Sequence, residues 1–121
     1  METKTVLVVD DTFIWLATAE QVLKSKYTVL KAENGKNCIL TLTSTHVDLV
    51  LLDMEMPGMN GIETLAKIRS LPGGADLPVI MLTGDDYKET IIAAARLSVA
   101  GYLTKPYMPA DLLNRVGKAL G

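Results

Sequence analysis

The stretch VLLDMEMPGMNG, residues 50–61, passes from an aliphatic run to a turn through one aspartate, Asp53. The run before Asp53 has no polar alternation, which is typical of a parallel strand that is covered on both faces. The proline and two glycines after it favour a tight turn, and Asn60 favours the start of a helix. The stretch therefore predicts a buried strand that presents a carboxylate at its end.

Four other apolar runs resemble this one in length and composition. In chain order the five runs are TVLVVD from Thr5, YTVLKA from Tyr27, VDLVLLD from Val47, LPVIMLT from Leu77 and AGYLTKP from Ala100. Segments with helical periodicity follow each run, at about residues 12–25, 36–45, 61–71, 86–97 and 109–120. This alternation predicts an α/β fold with five helices around a five-stranded parallel sheet, as one domain over residues 1–121.

Composition and charge exclude several classes of protein. Of the 121 residues, 49% are hydrophobic and 21% are charged, which indicates a folded domain with a single core. The formal net charge is −2 and the basic residues do not cluster, so neither nucleic acid nor a membrane is an expected partner. The chain has no signal-peptide pattern and no apolar run long enough to span a bilayer, which predicts a cytoplasmic location.

Polar residues end four of the five predicted strands. These residues are Asp10 and Asp11 after the first run, Asp53 in the third, Thr83 in the fourth and Lys105 in the fifth. The carboxyl ends of parallel strands meet at one edge of a sheet, and such sheets bind ligands where the strand order reverses. If the strand order is 2-1-3-4-5, the reversal brings Asp10, Asp11 and Asp53 together.

Three neighbouring carboxylates indicate a site for a hard divalent cation. Like charges at close range raise one another's pKa, and a bound cation relieves that repulsion. Mg²⁺ prefers oxygen ligands, whereas the only cysteine, Cys38, is predicted on a helix and no histidine lies near the cluster. A carboxylate in such a site can accept a phosphoryl group, with Thr83 and Lys105 as suitable donors to its oxygens.

Four motifs in order along the chain resemble those of a known family. They are VLVVDD (6–11), DLVLLDMEMPGMNGIE (48–63), LPVIMLTGD (77–85) and GYLTKPY (101–107). With them the chain resembles, from about Lys4 to Leu120, the CheY-like receiver domain of response regulators in two-component signalling systems. The resemblance implies a flavodoxin-like fold with strand order 2-1-3-4-5. It also implies a phosphorylation switch that takes its phosphoryl group from a histidine kinase or a histidine phosphotransfer protein, with Mg²⁺.

The resemblance assigns the acceptor and the metal ligands. It implies that Asp53 is the phosphoacceptor and Asp11 a direct ligand of Mg²⁺. Asp10 is expected to act mainly through metal-bound water, and the backbone carbonyl of Glu55 to complete the protein ligands. Glu55 and Asp85 occupy the positions at which the family tunes the lifetime of the phosphoryl group.

The resemblance also assigns the switch residues. Thr83 is expected to move onto the phosphoryl group, Lys105 to pair with it, and Tyr102 to turn inward as Thr83 moves. The bond between Lys105 and Pro106 is expected to be cis. The output surface is expected on the fourth helix, fifth strand and fifth helix, around Lys88, Arg96, Tyr102 and Arg115. Where family members usually have glycine and alanine before the fifth strand, this chain has Ser98 and Val99.

Phe13 and Ile14 lie off the main apolar stripe of the first predicted helix, formed by Trp15, Ala19, Val22 and Leu23. One interpretation is that they pack under neighbouring loops. The other is that they dock the phosphohistidine donor beside the acidic residues.

Two other functions fit part of the pattern. A Mg²⁺-dependent aspartyl-phosphate phosphatase would use an acid two residues after its nucleophile, the position of Glu55, but would also need a cap or substrate pocket. A flavin-binding module would need a hydroxyl-rich phosphate loop where this chain has DDTF (10–13). For a receiver domain the sequence leaves open whether it acts alone, through a downstream protein partner, or as part of a longer regulator whose output domain is missing.

Overall fold

The fold is that of a computed structural model, which describes residues 3–84, 92 and 95–121. Its five strands form one parallel sheet in the order β2-β1-β3-β4-β5. The strands are β1 (Thr5–Val9), β2 (Thr28–Ala32), β3 (Leu49–Asp53), β4 (Val79–Thr83) and β5 (Gly101–Thr104). The predicted flavodoxin-like topology and strand order are confirmed, with β3 at the centre of the sheet.

Four helices are described: α1 (Phe13–Leu23), α2 (Gly35–Ser44), α3 (Gly61–Ser70) and a C-terminal helix (Pro109–Leu120). They correspond to four of the five predicted helices. The remaining predicted helix, at about residues 86–97, lies mostly outside the described residues, as do Asp85 and Lys88. Among the helices that the structure describes, none is both long and apolar enough to cross a membrane.

The sheet separates two apolar layers, and alternate strand residues face one or the other. On β3, Val50 and Leu52 belong to the layer beneath α2 and α3, whereas Leu49 and Leu51 belong to the layer beneath α1 and the C-terminal helix. All four side chains are fully buried. Burial on both faces explains why the strand sequence is continuously aliphatic, and it fixes the end of β3 within the fold.

One detail of the predicted α1 stripe was wrong. Leu16, Ala19 and Leu23 are the buried residues of this helix, whereas Trp15 is only partly buried. Phe13 and Ile14 are 80% and 66% exposed, as their positions off the stripe predicted.

The turn after β3 has the geometry that its glycines and asparagine predicted. Gly58 has a φ of +77°, a conformation that glycine adopts without steric cost. At Gly61 an added Cβ would lie 2.4 Å from the carbonyl oxygen of Asp53, so only glycine permits this approach. Asn60 accepts a hydrogen bond from the Glu63 N–H at 2.9 Å, and the Glu63 carboxylate accepts one from the Asn60 N–H at 3.2 Å. This capping box starts α3 directly against the backbone of Asp53.

Arg69, near the end of α3, ties two loops to the helix. Its guanidinium donates hydrogen bonds to the carbonyl oxygens of Gly74 at 2.8 Å and Leu77 at 2.7 Å, in the loop before β4. It also donates to those of Leu97 at 2.8 Å and Ser98 at 3.1 Å, before β5. Burial lowers the pKa of Arg69. One side chain therefore fixes the entries of two strands.

Ser98 occupies the position at which the sequence departs from the family pattern, and its φ is +59°. A residue with a Cβ is disfavoured there by about 1 kcal/mol relative to glycine. We expect Ser98→Gly to raise the free energy of unfolding by about 1 kcal/mol in urea denaturation. As a control, Ser44→Gly at the end of α2 should lower the free energy of unfolding by about 0.5–1 kcal/mol, because glycine is unfavourable in a helix. A loss of stability in Ser98→Gly would contradict the strain.

Candidate functional site

The carboxyl edge of the sheet gathers the predicted acidic residues. Val9 pairs with Leu52 in the register of β1 and β3, so Asp10 follows β1 beside Asp53 at the end of β3. Asp10, Asp11 and Asp53 each offer a carboxylate oxygen, and these three atoms lie within 4.8 Å of one another. Asp10 is 0% and Asp53 4% exposed, whereas Asp11 is exposed. The predicted grouping of the three residues at the strand reversal is therefore present.

Lys105 reaches this cluster from the end of β5. Its ammonium nitrogen lies 2.6 Å from Asp10 Oδ2 and 3.0 Å from Asp53 Oδ1, and its side chain is 11% exposed. The Lys105–Pro106 peptide bond is cis, as expected. Backbone pairing also positions this residue, because the Lys105 N–H donates to the Thr83 carbonyl at 2.7 Å. Lys105 thus balances one of the three negative charges.

Asp10 has hydrogen bonds at both carboxylate oxygens. Its Oδ1 accepts from the Thr12 N–H at 3.0 Å, while Oδ2 accepts from Lys105. Its backbone N–H donates to the Ala32 carbonyl at 3.1 Å, which fixes the turn out of β1. These contacts are what a fully buried carboxylate requires to remain in the fold.

Asp53 is in a less compensated environment. Burial raises its pKa from 3.8 to about 6, and the nearby charge of Asp10 adds to this effect. The Lys105 ammonium and a hydrogen bond from the Glu55 backbone lower the pKa in part. A further positive charge at the cluster would therefore stabilise the ionised form of Asp53 and lower its pKa.

The other predicted site residues lie around this cluster. Thr83 ends β4, the strand beside β3, and is 4% exposed. Tyr102 is half-buried on β5, and burial raises the pKa of its hydroxyl. Glu55 is exposed, two residues beyond β3. Arg96 and Arg115, predicted on the output surface, are exposed as well.

Two aromatic residues, Trp15 and Tyr107, also lie at the site, although the sequence interpretation had placed Trp15 on the apolar stripe of α1 and had given Tyr107 no role. The Lys105 ammonium lies 5.1 Å from the ring centroid of Trp15, and the rings of Trp15 and Tyr107 lie 5.3 Å apart at an angle of 42°. The Tyr107 hydroxyl is buried and has no hydrogen-bond partner in the described part of the chain. Burial, together with the charge of Asp10, raises its pKa to about 12. The only sequence signal was position, since Tyr107 follows the Lys-Pro pair.

The charges and ligand types of the cluster fit Mg²⁺. In the described part of the chain the cluster has three carboxylates and one ammonium, which leaves an excess of two negative charges for a divalent cation to balance. All the candidate ligands are oxygens, as Mg²⁺ prefers, and the negative charge of Asp10 adds to the burial that raises the pKa of Asp53. Asp10, Asp11 and Asp53 could therefore hold the ion.

The ionisation of Asp53 has a predictable effect on stability when Mg²⁺ is removed with EDTA. The folded-state pKa of about 6 is higher than the ordinary 3.8, so the folded protein binds this proton more tightly than the unfolded chain does. Stability is therefore lost as pH rises from 4 through 6, by about 3 kcal/mol in total. We expect Asp53→Asn, which stays neutral, to be more stable than the wild type by about this amount at pH 7.5 and by almost nothing at pH 4.

Urea unfolding at the two pH values measures this difference, and Asp48 supplies a control of opposite sign. A hydrogen bond from the Thr5 N–H, 2.7 Å from the carboxylate, lowers the pKa of Asp48. Asp48→Asn should therefore lose stability at pH 7.5 and lose less at pH 4. An advantage of Asp53→Asn that is equal at both pH values would exclude ionisation as its cause.

The fold and the acidic edge together define a class of protein, and sequence comparison identifies the family. The profile of the response regulator receiver domain matches residues 6–117. The chain therefore belongs to the response regulator receiver domain family. It is CheY-like and of the two-component signalling type, a class of signalling proteins and not of conventional enzymes.

Individual relatives agree with this assignment. A chemotaxis protein CheY homolog from Campylobacter jejuni subsp. jejuni is 34% identical over an alignment of 122 positions, gaps included, which covers 95% of this chain and 91% of that protein. The structure of the Vibrio cholerae chemotaxis protein CheY4 aligns with a TM-score of 0.95 at 26% identity, over 98% of this chain and 100% of that one. A signal receiver domain of an HD domain-containing protein from Pseudomonas fluorescens Pf-5 aligns with a TM-score of 0.92 at 30% identity, over 98% and 95% of the two chains.

Proposed function

We propose that residues 1–121 form one receiver domain that acts as a phosphorylation switch, with Asp53 as the phosphoacceptor. One observation carries the proposal: the Asp53 carboxylate ends the central strand, 3.0 Å from the Lys105 ammonium and in a cluster with Asp10 and Asp11. A rigid strand places the nucleophile, and the lysine supplies positive charge where phosphoryl oxygens would lie. Positioning and charge stabilisation are the main requirements of phosphoryl transfer.

Mg²⁺ is the cofactor that we assign to this site. Asp10, Asp11 and Asp53 would hold the ion with the backbone carbonyl of Glu55. When bound, it supplies positive charge that draws a phosphoryl group to the cluster and offsets the repulsion among its carboxylates. The chain itself contributes the fixed arrangement: Asp53 is the last residue of β3, Asp10 directly follows β1, and hydrogen bonds fix both oxygens of Asp10.

In the reaction, an oxygen of Asp53 forms a bond to phosphorus as the bond from phosphorus to the donor breaks and its electron pair leaves with the donor. Lys105 pairs with the transferred group, and Thr83, at the end of the adjacent strand, moves its hydroxyl onto it. Tyr102 turns inward in response. An energy difference of a few kcal/mol between the two arrangements is enough to alter a binding surface around Tyr102, Arg96 and Arg115.

The donor is proposed to be a histidine kinase or a histidine phosphotransfer protein in the cytoplasm, and the altered surface to bind a downstream protein or an output domain. Phe13 and Ile14 are the proposed donor contacts. They are 80% and 66% exposed at the start of α1, which begins two residues after Asp11. Exposed apolar side chains beside a charged site favour a protein partner over packing under a loop.

Removing these two side chains separates docking from chemistry. We expect Phe13→Ser with Ile14→Ser to slow phosphotransfer from the phosphorylated kinase by about tenfold, because a buried apolar contact is lost. Phosphorylation by acetyl phosphate, which needs no docking surface, should keep its wild-type rate. As a control, Leu40→Ser removes an exposed apolar side chain from α2 and should leave both rates unchanged. Equal rates from the kinase in wild type and double variant would exclude docking at these residues.

Acetyl phosphate with Mg²⁺ tests the proposed function directly. Intact-mass spectrometry should show one phosphoryl group per chain, with release of acetate, and EDTA should prevent it. Peptide mapping should place the group on Asp53. Modification at another residue, or its absence at saturating donor, would refute the proposal. Sustained hydrolysis of many small phosphate esters per chain would instead identify the phosphatase.

A further inference from the structure

We infer that Trp15 is a positioning residue for Lys105: its ring holds the ammonium beside Asp53 and thereby sets how fast Asp53 is phosphorylated. This inference rests on the proposed function, since it concerns the lysine of the same site. It adds a residue from α1 to a group of side chains that otherwise comes from the ends of β1, β3, β4 and β5.

Three groups lie close to the Lys105 ammonium. Asp10 Oδ2 lies at 2.6 Å, Asp53 Oδ1 at 3.0 Å and the Trp15 ring centroid at 5.1 Å. The ring distance is within the range in which the face of an indole attracts a cation, and tryptophan is the strongest of the aromatic side chains in this respect. With its side chain 11% exposed, Lys105 has little water to weaken that attraction.

Trp15 is itself held in place from two directions. Its backbone N–H donates to the Thr12 carbonyl at 3.1 Å, in the first turn of α1. Its ring packs against Tyr107, two residues beyond Lys105, with centroids 5.3 Å apart. The aromatic pair therefore connects α1 to the same short segment that carries the lysine, so the ring and the ammonium are fixed relative to each other.

The flexibility of a lysine side chain explains why the ring would affect the rate of phosphorylation. Four rotatable bonds give lysine many conformations, and ordering them opposes any single placement of the ammonium. Asp10, the nearer carboxylate, competes with Asp53 for this charge. Attraction to the Trp15 ring would favour lysine conformations that keep the ammonium at the cluster before the donor arrives. Preorganised positive charge then lowers the barrier to transfer, because the site need not reorganise during the reaction.

Trp15 is not the residue on which α1 depends for packing. The buried residues of this helix are Leu16, Ala19 and Leu23, whereas Trp15 is only partly buried. An effect of Trp15 on phosphorylation can therefore be separated from an effect on the fold.

The test uses four variants: Trp15→Leu, Trp15→Phe, Lys105→Met and the double variant Trp15→Leu with Lys105→Met. Rates with acetyl phosphate and Mg²⁺ are followed by intact mass, since tryptophan fluorescence is lost in the variants. We expect Trp15→Leu to slow phosphorylation about fivefold, and Trp15→Phe, which keeps a ring face, to stay within about twofold of the wild type. In the Lys105→Met background, Trp15→Leu should have no further effect, because its partner is gone.

A direct readout of the contact accompanies the rates. In the wild type, NMR should show the methylene protons next to the Lys105 ammonium shifted upfield by the ring, and Trp15→Leu should remove that shift. Val22→Ala, a partly buried position further along α1, is the packing control and should leave rate and shift unchanged.

Three results would overturn the inference. Wild-type speed in Trp15→Leu would do so, as would an equal loss in Trp15→Leu and Trp15→Phe, or an equal loss with and without Lys105. If the wild-type protein takes up no phosphoryl group at all, the proposed function fails and the inference fails with it. If the wild type is phosphorylated on Asp53 and Trp15→Leu keeps its speed, only the inference fails.

Discussion

Asp53→Asn is expected to lower phosphoryl uptake from acetyl phosphate by at least about a hundredfold, to the limit of detection. The amide has nearly the shape of the carboxylate but lacks its negative charge and its nucleophilicity. Because the amide oxygen of asparagine can still accept a hydrogen bond, the Lys105 ammonium keeps a partner at position 53. It also keeps its contact with Asp10. The variant therefore removes the nucleophile with little change to the arrangement around it.

The contacts of the three acidic residues explain why the loss should be specific to Asp53. Asp10 is 0% exposed and both of its oxygens are hydrogen-bonded, which makes it a poor acceptor for an incoming group. Asp11 is exposed and lies outside β1, so no strand holds it in line with a donor. Asp53 combines a rigid position, a nearby cation and a carboxylate that burial makes basic.

Intact-mass spectrometry of wild type and Asp53→Asn at matched donor and Mg²⁺ concentrations measures the effect. Asp11→Asn is the matched control: it removes one charge from the same cluster and should slow uptake without abolishing it. If Asp53→Asn is still modified at the wild-type rate, the acceptor is another residue. If Asp11→Asn is unmodified even at saturating Mg²⁺, the acidic cluster alone does not distinguish acceptor from ligand, and the assignment to Asp53 must come from peptide mapping.

Arg69→Ala is expected to lower the free energy of unfolding by about 3 kcal/mol. The guanidinium makes four hydrogen bonds to backbone carbonyls, in the loop before β4 and in the segment before β5. Hydrogen bonds from a charged donor are stronger than neutral ones. When a half-buried carbonyl loses its donor, water replaces the lost hydrogen bond only in part. The loss should be large for a single arginine outside the apolar core.

Arg69→Lys distinguishes the shape of the guanidinium from its charge. A lysine keeps the charge but cannot place several N–H groups in the fixed fork that four carbonyls require, so we expect it to recover less than half of the lost stability. Arg115→Ala, at an exposed arginine of the C-terminal helix, should change stability by less than about 0.5 kcal/mol. Urea denaturation measures all three variants. If Arg69→Lys has the same free energy of unfolding as the wild type, the positive charge alone accounts for the stabilisation, and the shape of the guanidinium is not required.

The site shows which features a sequence can reveal. Asp10, Asp53, Thr83 and Lys105 each stand at the end of an apolar run, and that local signal is enough to place them on one edge once the strands are parallel. The turn after β3 could also be predicted, because Gly58, Asn60 and Gly61 are residue types that favour a tight turn and the start of a helix. The roles of these side chains in phosphorylation remain predictions that the experiments above address.

Other features had no local signal. Arg69 is a residue of ordinary type at the end of a helix, and its four carbonyl partners lie 5 to 29 positions away along the chain. Trp15 contacts Lys105 across 90 residues, and the pattern of α1 placed it on the buried stripe, where Leu16 in fact lies. Such contacts depend on how the helices and loops pack against the sheet, and the hydrophobic periodicity of the sequence does not specify that packing.

The sequence by itself determined the alternation of strands and helices along the chain, the polar residues that end the strands and the geometry of the turn after β3, because each depends on burial or backbone preferences over a few neighbouring residues. The tertiary structure alone decided how the charges at that edge are compensated. It gave Asp10 two hydrogen-bonded oxygens, left Asp53 with a pKa of about 6, and set the Lys105 ammonium against Trp15. The physical reason is that pKa values and cation placement depend on distances of a few ångströms between groups that the chain brings together only when it folds.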